Sequence, residues 1–318
     1  MPPKTPTPIR VALDWTPNTL HTGLYIALSK NFYSSANLSV TLHSPSPINY
    51  ITPAKQLASS SADLAICPSE SCLAYAESGT LQLQAIYAIC QRDASAVVST
   101  SSDFKDLKAL EGGRYGSYNA RYEDAIVRTM VSGAGGKGEE MRIEGAKEKL
   151  GLWEEVKQGG VDATWVFLPW EGVEAELDGT QLNVFRPEQY GVPYGYSPVV
   201  ARRRDGGLSG EVLRSFVRET ARGYQFAITN PEEATEIMKE VVEGRDEKFL
   251  RLSQERVNES YGAEGAQTAF SLGKMDERRW EKWVAWLKER GQIKADHIKL
   301  EDVFTNQYFN QCMLLEED

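Results

Sequence analysis

The chain has 318 residues, of which 41% are hydrophobic and 25% are charged, and at roughly 150 residues per domain this length favours two globular domains. The net charge of −10 at pH 7 argues against nucleic acid as a partner, because phosphate binding requires a basic surface. The densest basic run, Arg202 to Arg204, is followed directly by Asp205 and predicts a solvated turn.

The cysteines and the N-terminus indicate a cytoplasmic protein. No C-x-x-C spacing occurs, so neither a disulfide framework nor a zinc site is expected from Cys67, Cys72, Cys90 and Cys312. Residues 1–8 are rich in proline where a signal peptide would be apolar, and they predict a disordered leader. No apolar run of about 18 residues is present, so no membrane-spanning helix is expected.

Strands and helices alternate over the first two thirds of the chain. Short apolar or alternating runs predict strands at 9–14, 38–43, 62–67, 83–89, 96–99, 114–118, 141–143, 163–168, 182–185 and 198–202. Helical spacing predicts helices at 21–30, 51–59, 70–78, 123–133, 146–158 and 170–177, together with a short helix capped by Ser102 and Asp103 that ends at Leu110.

Charged helices dominate the rest of the chain. They are predicted at 213–230, 231–243, 247–260 and 277–290. In the last of them Trp280, Val284 and Leu287 keep helical spacing, which favours burial in the core over a ligand site. The pattern predicts an α/β fold of two lobes with a ligand cleft between them. The first lobe would comprise 9–100 and 200–318, and the second 101–199.

Polar and aromatic side chains follow the first predicted strand. Ligands of open α/β sheets bind beyond the carboxyl ends of strands, which makes this loop a candidate site. Trp15 offers a flat face, Asn18 offers an amide, and His21 can titrate near a helix start, while Asp14 ends the strand. A turn capped by Asn18 or Thr19, with a half-buried tryptophan, fits the sequence equally well.

A second candidate follows the strand at 62–67. Ser69 and Glu70 are predicted either to begin a helix, with Ser69 as its cap, or to direct a hydroxyl and a carboxylate toward a ligand. A third candidate follows the strand at 114–118. Tyr118, Asn119 and Tyr122 precede a helix there, but neither nucleotide-binding glycine pattern is present, so a capped loop remains an alternative.

A fourth candidate is the pair Trp170 and Glu171, which follows the strand at 163–168. A stacking ring beside a carboxylate suits an aminopyrimidine, because the exocyclic amine can donate to the carboxylate. A helix start with Glu171 near its positive end is the alternative. Further along, Tyr194 lies among glycines and tyrosines in a segment that fits a hinge, a cleft wall or a packed loop.

Catalytic patterns are sparse. The three histidines are His21, His43 and His297, and neither a zinc-protease nor a serine-hydrolase motif occurs. Paired carboxylates are common in the predicted helices, where they more often form a solvated face than an acid–base pair.

Residues 13–23, Leu-Asp-Trp-Thr-Pro-Asn-Thr-Leu-His-Thr-Gly, closely resemble the opening of the family that joins sulfonate-binding proteins to the fungal thiamin-pyrimidine synthases. The loops at 62–65 and 116–119 and the run Trp170-Glu171-Gly172 occur in a similar order. The resemblance covers roughly residues 9 to 240 and implies a type II periplasmic-binding fold. It is nearest to members that bind thiamin-pyrimidine precursors, and it implies that Trp15, Asn18, His21, Trp170 and Glu171 contact the ligand.

The resemblance also implies an alternative, a hydroxymethylpyrimidine phosphate synthase that uses pyridoxal phosphate and iron. Those synthases hold the pyridoxal aldehyde on a lysine and consume a histidine four residues later, whereas this chain has Cys-Pro-Ser-Glu-Ser at 67–71. Their cysteine-rich run is also missing from 191–196. We therefore expect a cofactor-free binder of a hydroxymethylpyrimidine-like molecule, with a homodimer left open. A protein-interaction role for the charged C-terminal helices is a third hypothesis.

Overall fold

The computed structural model describes residues 5–46, 50–146, 151–262 and 271–309. The chain divides into two compact units. Unit 1 comprises Met1–Asp93, Tyr196–Glu277 and Ala295–Asp318, and unit 2 comprises Ala94–Gly195 and Arg278–Lys294. The segment Arg278–Lys294 thus belongs to unit 2, whereas the division predicted from the sequence placed all of 200–318 in the first lobe.

Unit 1 is built on a five-stranded sheet. Numbered in chain order through the protein, its strands are β1 (Thr7–Ala12), β2 (Leu38–His43), β3 (Leu64–Cys67), β4 (Leu83–Ala88) and β10 (Val199–Arg203). They lie in the order β2-β1-β3-β10-β4, and β10 runs antiparallel to both of its neighbours. Every residue of β3 and β4 is buried, and their sequences are apolar except for Gln84.

Unit 2 repeats this plan. Its strands are β5 (Ser95–Ser99), β6 (Arg114–Ser117), β7 (Arg142–Gly145), β8 (Ala163–Phe167) and β9 (Asn183–Phe185). They lie in the order β7-β6-β8-β5-β9. Here β5 is the antiparallel strand, in the place that β10 occupies in unit 1. Within each sheet, the carboxyl ends of the parallel strands thus lie at the same edge.

Helices surround these sheets. The described helices are α1 (Thr22–Ser29), α2 (Phe32–Ser35), α3 (Pro53–Ala58), α4 (Ser69–Ser78), α5 (Glu123–Gly133), α6 (Leu152–Lys157), α7 (Val173–Leu177), α8 (Gly210–Thr229), α9 (Pro231–Lys239), α10 (Glu247–Tyr261), α11 (Glu277–Glu289) and α12 (Leu300–Val303). Trp280, Val284 and Leu287 of α11 are buried, as their spacing predicts. No helix in the described ranges is long and apolar enough to cross a membrane.

One charged contact recurs in both units. The Asp63 carboxylate, directly before β3, accepts hydrogen bonds from the backbone and guanidinium of Arg10 on β1 at 2.8–3.0 Å. In unit 2, Asp162 lies directly before β8 and accepts the same set from Arg114 on β6 at 2.7–3.3 Å. Two-pronged contacts of this kind fix direction as well as distance, so each clamp holds two parallel neighbours in register.

Three local predictions are wrong. The run from Arg202 is not a solvated turn: Arg202 and Arg203 end β10, and Arg202 donates to Gln84 at 2.9 Å. The predicted helix after Ser102 is a single short turn at Leu107–Leu110, and Asp106 caps it instead. The leader does not extend to residue 8, because β1 begins at Thr7 and pairs with β2. Residues 1–4 and Cys312 lie outside the described residues.

The clamp in unit 1 predicts a pH-dependent stability. Hydrogen bonds from Arg10 hold the pKa of Asp63 below its usual value. The stabilisation is therefore present above the unfolded-state pKa and is lost as the pH falls through the folded-state pKa. We expect Asp63→Asn to lower the unfolding free energy by about 1 kcal/mol at pH 7, since the pair is partly exposed.

Urea unfolding of the wild type and the variant between pH 7 and pH 2.5 checks this expectation. The difference in unfolding free energy between the wild type and Asp63→Asn should approach zero at pH 2.5. Glu243→Gln, at an exposed position of unit 1, is the control and should show no such convergence. A difference between Asp63→Asn and wild type that stays constant with pH would contradict the role assigned to the carboxylate.

Candidate functional site

The first group of predicted site residues lies at the carboxyl edge of the unit 1 sheet. Strands β1 and β3 are parallel neighbours, with Ala12 opposite Ala65, so the segments after them leave the sheet side by side. Asp14 and Trp15 follow β1, and Ser69 and Glu70 follow β3. The sheet topology therefore brings these two predicted segments to the same edge.

Asp14 and His21 form a direct pair. His21 Nε2 lies 2.8 Å from Asp14 Oδ1, and the histidine side chain is fully buried while that of Asp14 is 25% exposed. The other ring nitrogen, Nδ1, is buried and has no hydrogen-bond partner in the described part of the chain. The Asp14 carboxylate fixes the orientation of the His21 ring, and the Asp14 side chain remains partly exposed.

Asn18 has a local role that matches the capping alternative. Its Oδ1 accepts from Leu20 N at 2.8 Å at the start of the short helix Thr19–His21, and its Nδ2 donates to Thr16 O at 3.0 Å. The side chain is nearly buried, whereas Trp15 is only half-buried. Trp15 therefore offers an accessible face, and Asn18 mainly sets the conformation of its own turn.

The prediction that Ser69 caps α4 is wrong. Pro68 occupies the capping position and Ser69 is already helical. The Ser69 backbone N–H donates instead to Tyr196 O at 3.0 Å, and its hydroxyl donates to Glu70 Oε2 at 3.4 Å. Ser69 and Glu70 are both buried, so they belong to the interior of this edge.

Tyr50 joins the unit 1 group without having been predicted. Its hydroxyl donates to the backbone carbonyl of Asp14 at 3.1 Å. Burial, with the nearby Asp14 carboxylate and Cys67 thiol adding to it, raises the pKa of Tyr50 to about 12. The phenol therefore stays protonated at neutral pH and acts as a donor. The sequence around Tyr50 carries no motif that would have indicated this contact.

The second group lies at the corresponding edge of unit 2. Strands β6 and β8 are parallel neighbours, with Gly116 opposite Thr164. The loop after β6 holds Asn119 and Tyr122 at positive φ angles of 54° and 65°. Non-glycine residues adopt this conformation rarely, and such strain persists only where surrounding contacts enforce it.

Glu123 enforces the shape of that loop. Its carboxylate accepts from the backbone N–H groups of Tyr118 and Ala120 at 3.2 and 3.0 Å and from the Tyr115 hydroxyl at 2.8 Å. Burial raises the pKa of Glu123 above its usual value, although these hydrogen bonds oppose the change. Glu123 was missed, and the only signal for it in the sequence is its place in the first turn of the predicted helix, where a carboxylate is favoured.

Trp170 and Glu171 follow β8 in a wide helical turn, Leu168–Gly172. Glu171 Oε2 accepts from Phe167 N at 2.9 Å, which aims the carboxylate back along the strand end. Burial raises the pKa of Tyr118, and the charges of Glu171 and Glu123 raise it further. The predicted residues Tyr118 and Glu171 are therefore electrostatic neighbours, with a protonated phenol beside a carboxylate.

Tyr194 is set in an aromatic cluster of unit 2. Its ring centroid lies 5.4 Å from Trp165 of β8 and 5.4 Å from Trp283 of α11, and the Trp283 contact is edge-on. Arg279, one turn earlier on α11, donates to Gly195 O at 2.7 Å. Neither Trp283 nor Arg279 was predicted, because both come from a distant part of the chain.

Comparison with known proteins identifies the relatives of this chain. A family model described as NMT1/THI5 like matches residues 18–234, more than half of the sequence. The chain belongs to the NMT1/THI5-like family. A formylaminopyrimidine-binding protein of Halalkalibacterium halodurans is 27% identical over 306 residues, which cover 94% of this chain and 89% of that protein. The predicted family is confirmed.

Solved structures confirm the predicted fold class, a periplasmic-binding-protein-like fold with two α/β lobes. The alkanesulfonate-binding protein SsuA of Xanthomonas axonopodis pv. citri, bound to MOPS, superposes with a TM-score of 0.72 at 12% identity and covers 95% of this chain and 100% of its own. A Candida albicans protein described as exhibiting the generic periplasmic binding protein structural fold gives 0.67 at 16% identity, with 95% and 96% covered.

The residues at these edges do not fit pyridoxal phosphate, which the synthases of the family use. The segment after β3, 67–71, has no lysine amine for the aldehyde, and Glu70 in it is a buried carboxylate, which would repel a phosphate. Within the described ranges no three histidine, cysteine, aspartate or glutamate side chains come together as a metal site.

The Glu123 contacts predict that this carboxylate holds the loop of Tyr118. In Glu123→Ala, two backbone donors and the Tyr115 hydroxyl lose their acceptor inside the protein. We expect a loss of about 2–3 kcal/mol in the unfolding free energy of unit 2, together with faster hydrogen exchange at the amides of Tyr118 and Ala120.

Hydrogen exchange followed by mass spectrometry on peptides covering 115–122 checks the second expectation. Glu123→Gln retains one acceptor oxygen and should show a smaller acceleration. Glu139→Gln, at an exposed position of unit 2, is the control. Unchanged protection in Glu123→Ala would mean that the loop is held by other contacts.

Proposed function

We propose that this chain binds a thiamin-pyrimidine precursor, an aminopyrimidine of the hydroxymethylpyrimidine or formylaminopyrimidine type. The observation that carries the proposal is the arrangement of Trp170, Glu171 and Tyr118 at the carboxyl edge of the unit 2 sheet. The half-buried indole of Trp170 lies three residues past the end of β8, and the carboxylate of Glu171 lies near the phenol of Tyr118.

Each of these groups matches one feature of an aminopyrimidine. The ring can stack on an indole face, which contributes about 0.5–1.5 kcal/mol beyond burial. The exocyclic amine can donate to a carboxylate oxygen of Glu171, since hydrogen bonds to charged acceptors are stronger than neutral ones. A phenol is protonated at neutral pH, and burial raises the pKa of Tyr118 further, so Tyr118 can donate to a ring nitrogen.

The unit 1 edge supplies a second set of groups of similar character. Trp15 is half-buried, Asp14 keeps a partly exposed carboxylate, and Asn18 and His21 shape the turn behind them. We propose that the groups of this edge are also suited to contact a pyrimidine. The formylaminopyrimidine-binding relative supports this ligand class, since its similarity extends over 94% of the chain.

The charges favour a pyrimidine over a sulfonate. A sulfonate needs cationic or backbone donors around its oxygens, whereas three of the predicted site residues are carboxylates, Asp14, Glu70 and Glu171, and Glu123 adds a fourth beside Tyr118. Since the SsuA structures are similar in fold at low identity, their ligand does not transfer to this chain.

Isothermal titration calorimetry with hydroxymethylpyrimidine and with formylaminopyrimidine tests the proposal. We expect Glu171→Gln to weaken binding by roughly 10- to 100-fold, because it removes the charge from an acceptor. Trp170→Ala should weaken it by roughly 3- to 10-fold through lost stacking. Glu176→Gln, on the exposed side of α7, is the matched control and should bind like the wild type.

MOPS serves as the sulfonate probe in the same experiment and should give no heat. An absence of heat from both pyrimidines with the wild type would refute the proposed function. If Trp170→Ala and Glu171→Gln both bind the pyrimidine as strongly as the wild type does, the ligand lies elsewhere.

A further inference from the structure

The turn that carries Asn18 and His21 is hydrogen-bonded from behind by a helix more than 230 residues later in the sequence. The Thr19 hydroxyl lies 2.7 Å from the Ser253 hydroxyl of α10. The Thr22 hydroxyl donates to Gln254 Oε1 at 2.7 Å. These four side chains are fully buried, so two adjacent residues of α10 contact both ends of the turn inside the protein.

Two buried tyrosines hold the carbonyl groups of the same turn. The Tyr224 hydroxyl of α8 donates to Leu20 O at 2.9 Å, and the Tyr261 hydroxyl at the end of α10 donates to Thr19 O. Burial raises the pKa of both phenols, so both remain donors at neutral pH. The backbone of the turn is thus fixed at consecutive carbonyls as well as through its threonines.

The amide of Gln254 has a fixed orientation. Its Nε2 donates to Asn258 Oδ1 at 2.7 Å, and Asn258 Nδ2 donates in turn to Ala227 O of α8 at 3.1 Å. Since the NH₂ group faces Asn258, the carbonyl oxygen of Gln254 must face Thr22. A buried polar network in which the members satisfy one another specifies one geometry, and losing one member leaves the others without a partner.

Backbone packing leaves no room for the turn to shift toward α8. A Cβ atom at Gly223 would lie 1.9 Å from the carbonyl oxygen of Gly23, and a Cβ atom at Gly23 would lie 2.3 Å from the Tyr224 ring. Helix α1 therefore begins in direct contact with α8. The position of the turn that carries Asn18 and His21 follows from this contact and from the network on α10.

We propose that Ser253 and Gln254 are positioning residues for ligand binding, acting through the turn at 18–22, which lies behind the partly exposed Asp14 and Trp15. The inference rests on the proposed function, since it takes Asp14 and Trp15 as contacts of a pyrimidine. A core position filled by Ser or Gln gains little from burial, because the polar group must be matched. The geometry that these two residues impose on the turn is a gain that an apolar pair would not supply.

Calorimetric titration of hydroxymethylpyrimidine into variants of the full chain tests the inference. We expect Ser253→Ala to weaken binding by roughly fivefold and Gln254→Leu by roughly tenfold or more. Val257→Ala, a buried apolar position on the same helix, is the control: it should lower thermal stability while leaving the affinity unchanged. Ser253→Ala is the milder change and covers the case in which Gln254→Leu fails to fold.

A double-mutant cycle separates positioning from general stability. If Ser253 acts through the turn, Ser253→Ala should have no further effect on affinity once Asn18 is replaced by alanine. Additive effects of the two changes, or an equal loss of affinity in Val257→Ala, would overturn the positioning role.

Two other outcomes are distinguishable. Wild-type binding that weakens in Asn18→Ala but not in Ser253→Ala or Gln254→Leu would overturn this inference alone. No binding by the wild type would overturn the proposed function, and the positioning role with it.

Discussion

In each unit, an arginine on one strand pairs with an aspartate directly before the neighbouring parallel strand, and this contact sets the geometry of the sheet. Arg10 and Asp63 hold β1 against β3, and Arg114 and Asp162 hold β6 against β8. A shift of one residue in either pair would turn every side chain to the other face of its strand and move the loops beyond it. Because the candidate residues lie only a few positions past these strands, their placement depends on this register.

The two edges use carboxylates for different tasks. Asp14 and Glu171 each fix a neighbour, the His21 ring and the Phe167 amide, and remain partly accessible. Glu123 is buried, and its oxygens accept hydrogen bonds from the backbone of the loop that contains Tyr118. A strained loop is stable only when such contacts enforce it, so the buried carboxylate of Glu123 gives the half-buried Tyr118 side chain a defined position.

Local patterns were enough to predict two α/β lobes and candidate groups at the strand ends, because strand ends and apolar runs are properties of short segments. The periplasmic-binding type of the fold came from the family resemblance of residues 13–23. Short-range patterns also gave the Asn18 cap, since its partner is two residues away. They failed at Ser69, where a proline one residue earlier takes the capping position. They gave no sign of Tyr50 or Ser253, whose contacts to Asp14 and Thr19 join segments that only the folded chain brings together.

Both units rely on a late helix to complete an early loop. In unit 1, α10 bonds the turn at 18–22 through Ser253 and Gln254. In unit 2, α11 reaches the loop at 194–195 through Arg279 and Trp283. The charged outer faces of these helices suggested an interaction surface, yet their inner faces carry polar and aromatic groups where plain apolar residues would suffice for packing. A helix that only filled space would not need a matched amide or an arginine on a carbonyl, so these inner faces are shaped by the loops that they hold.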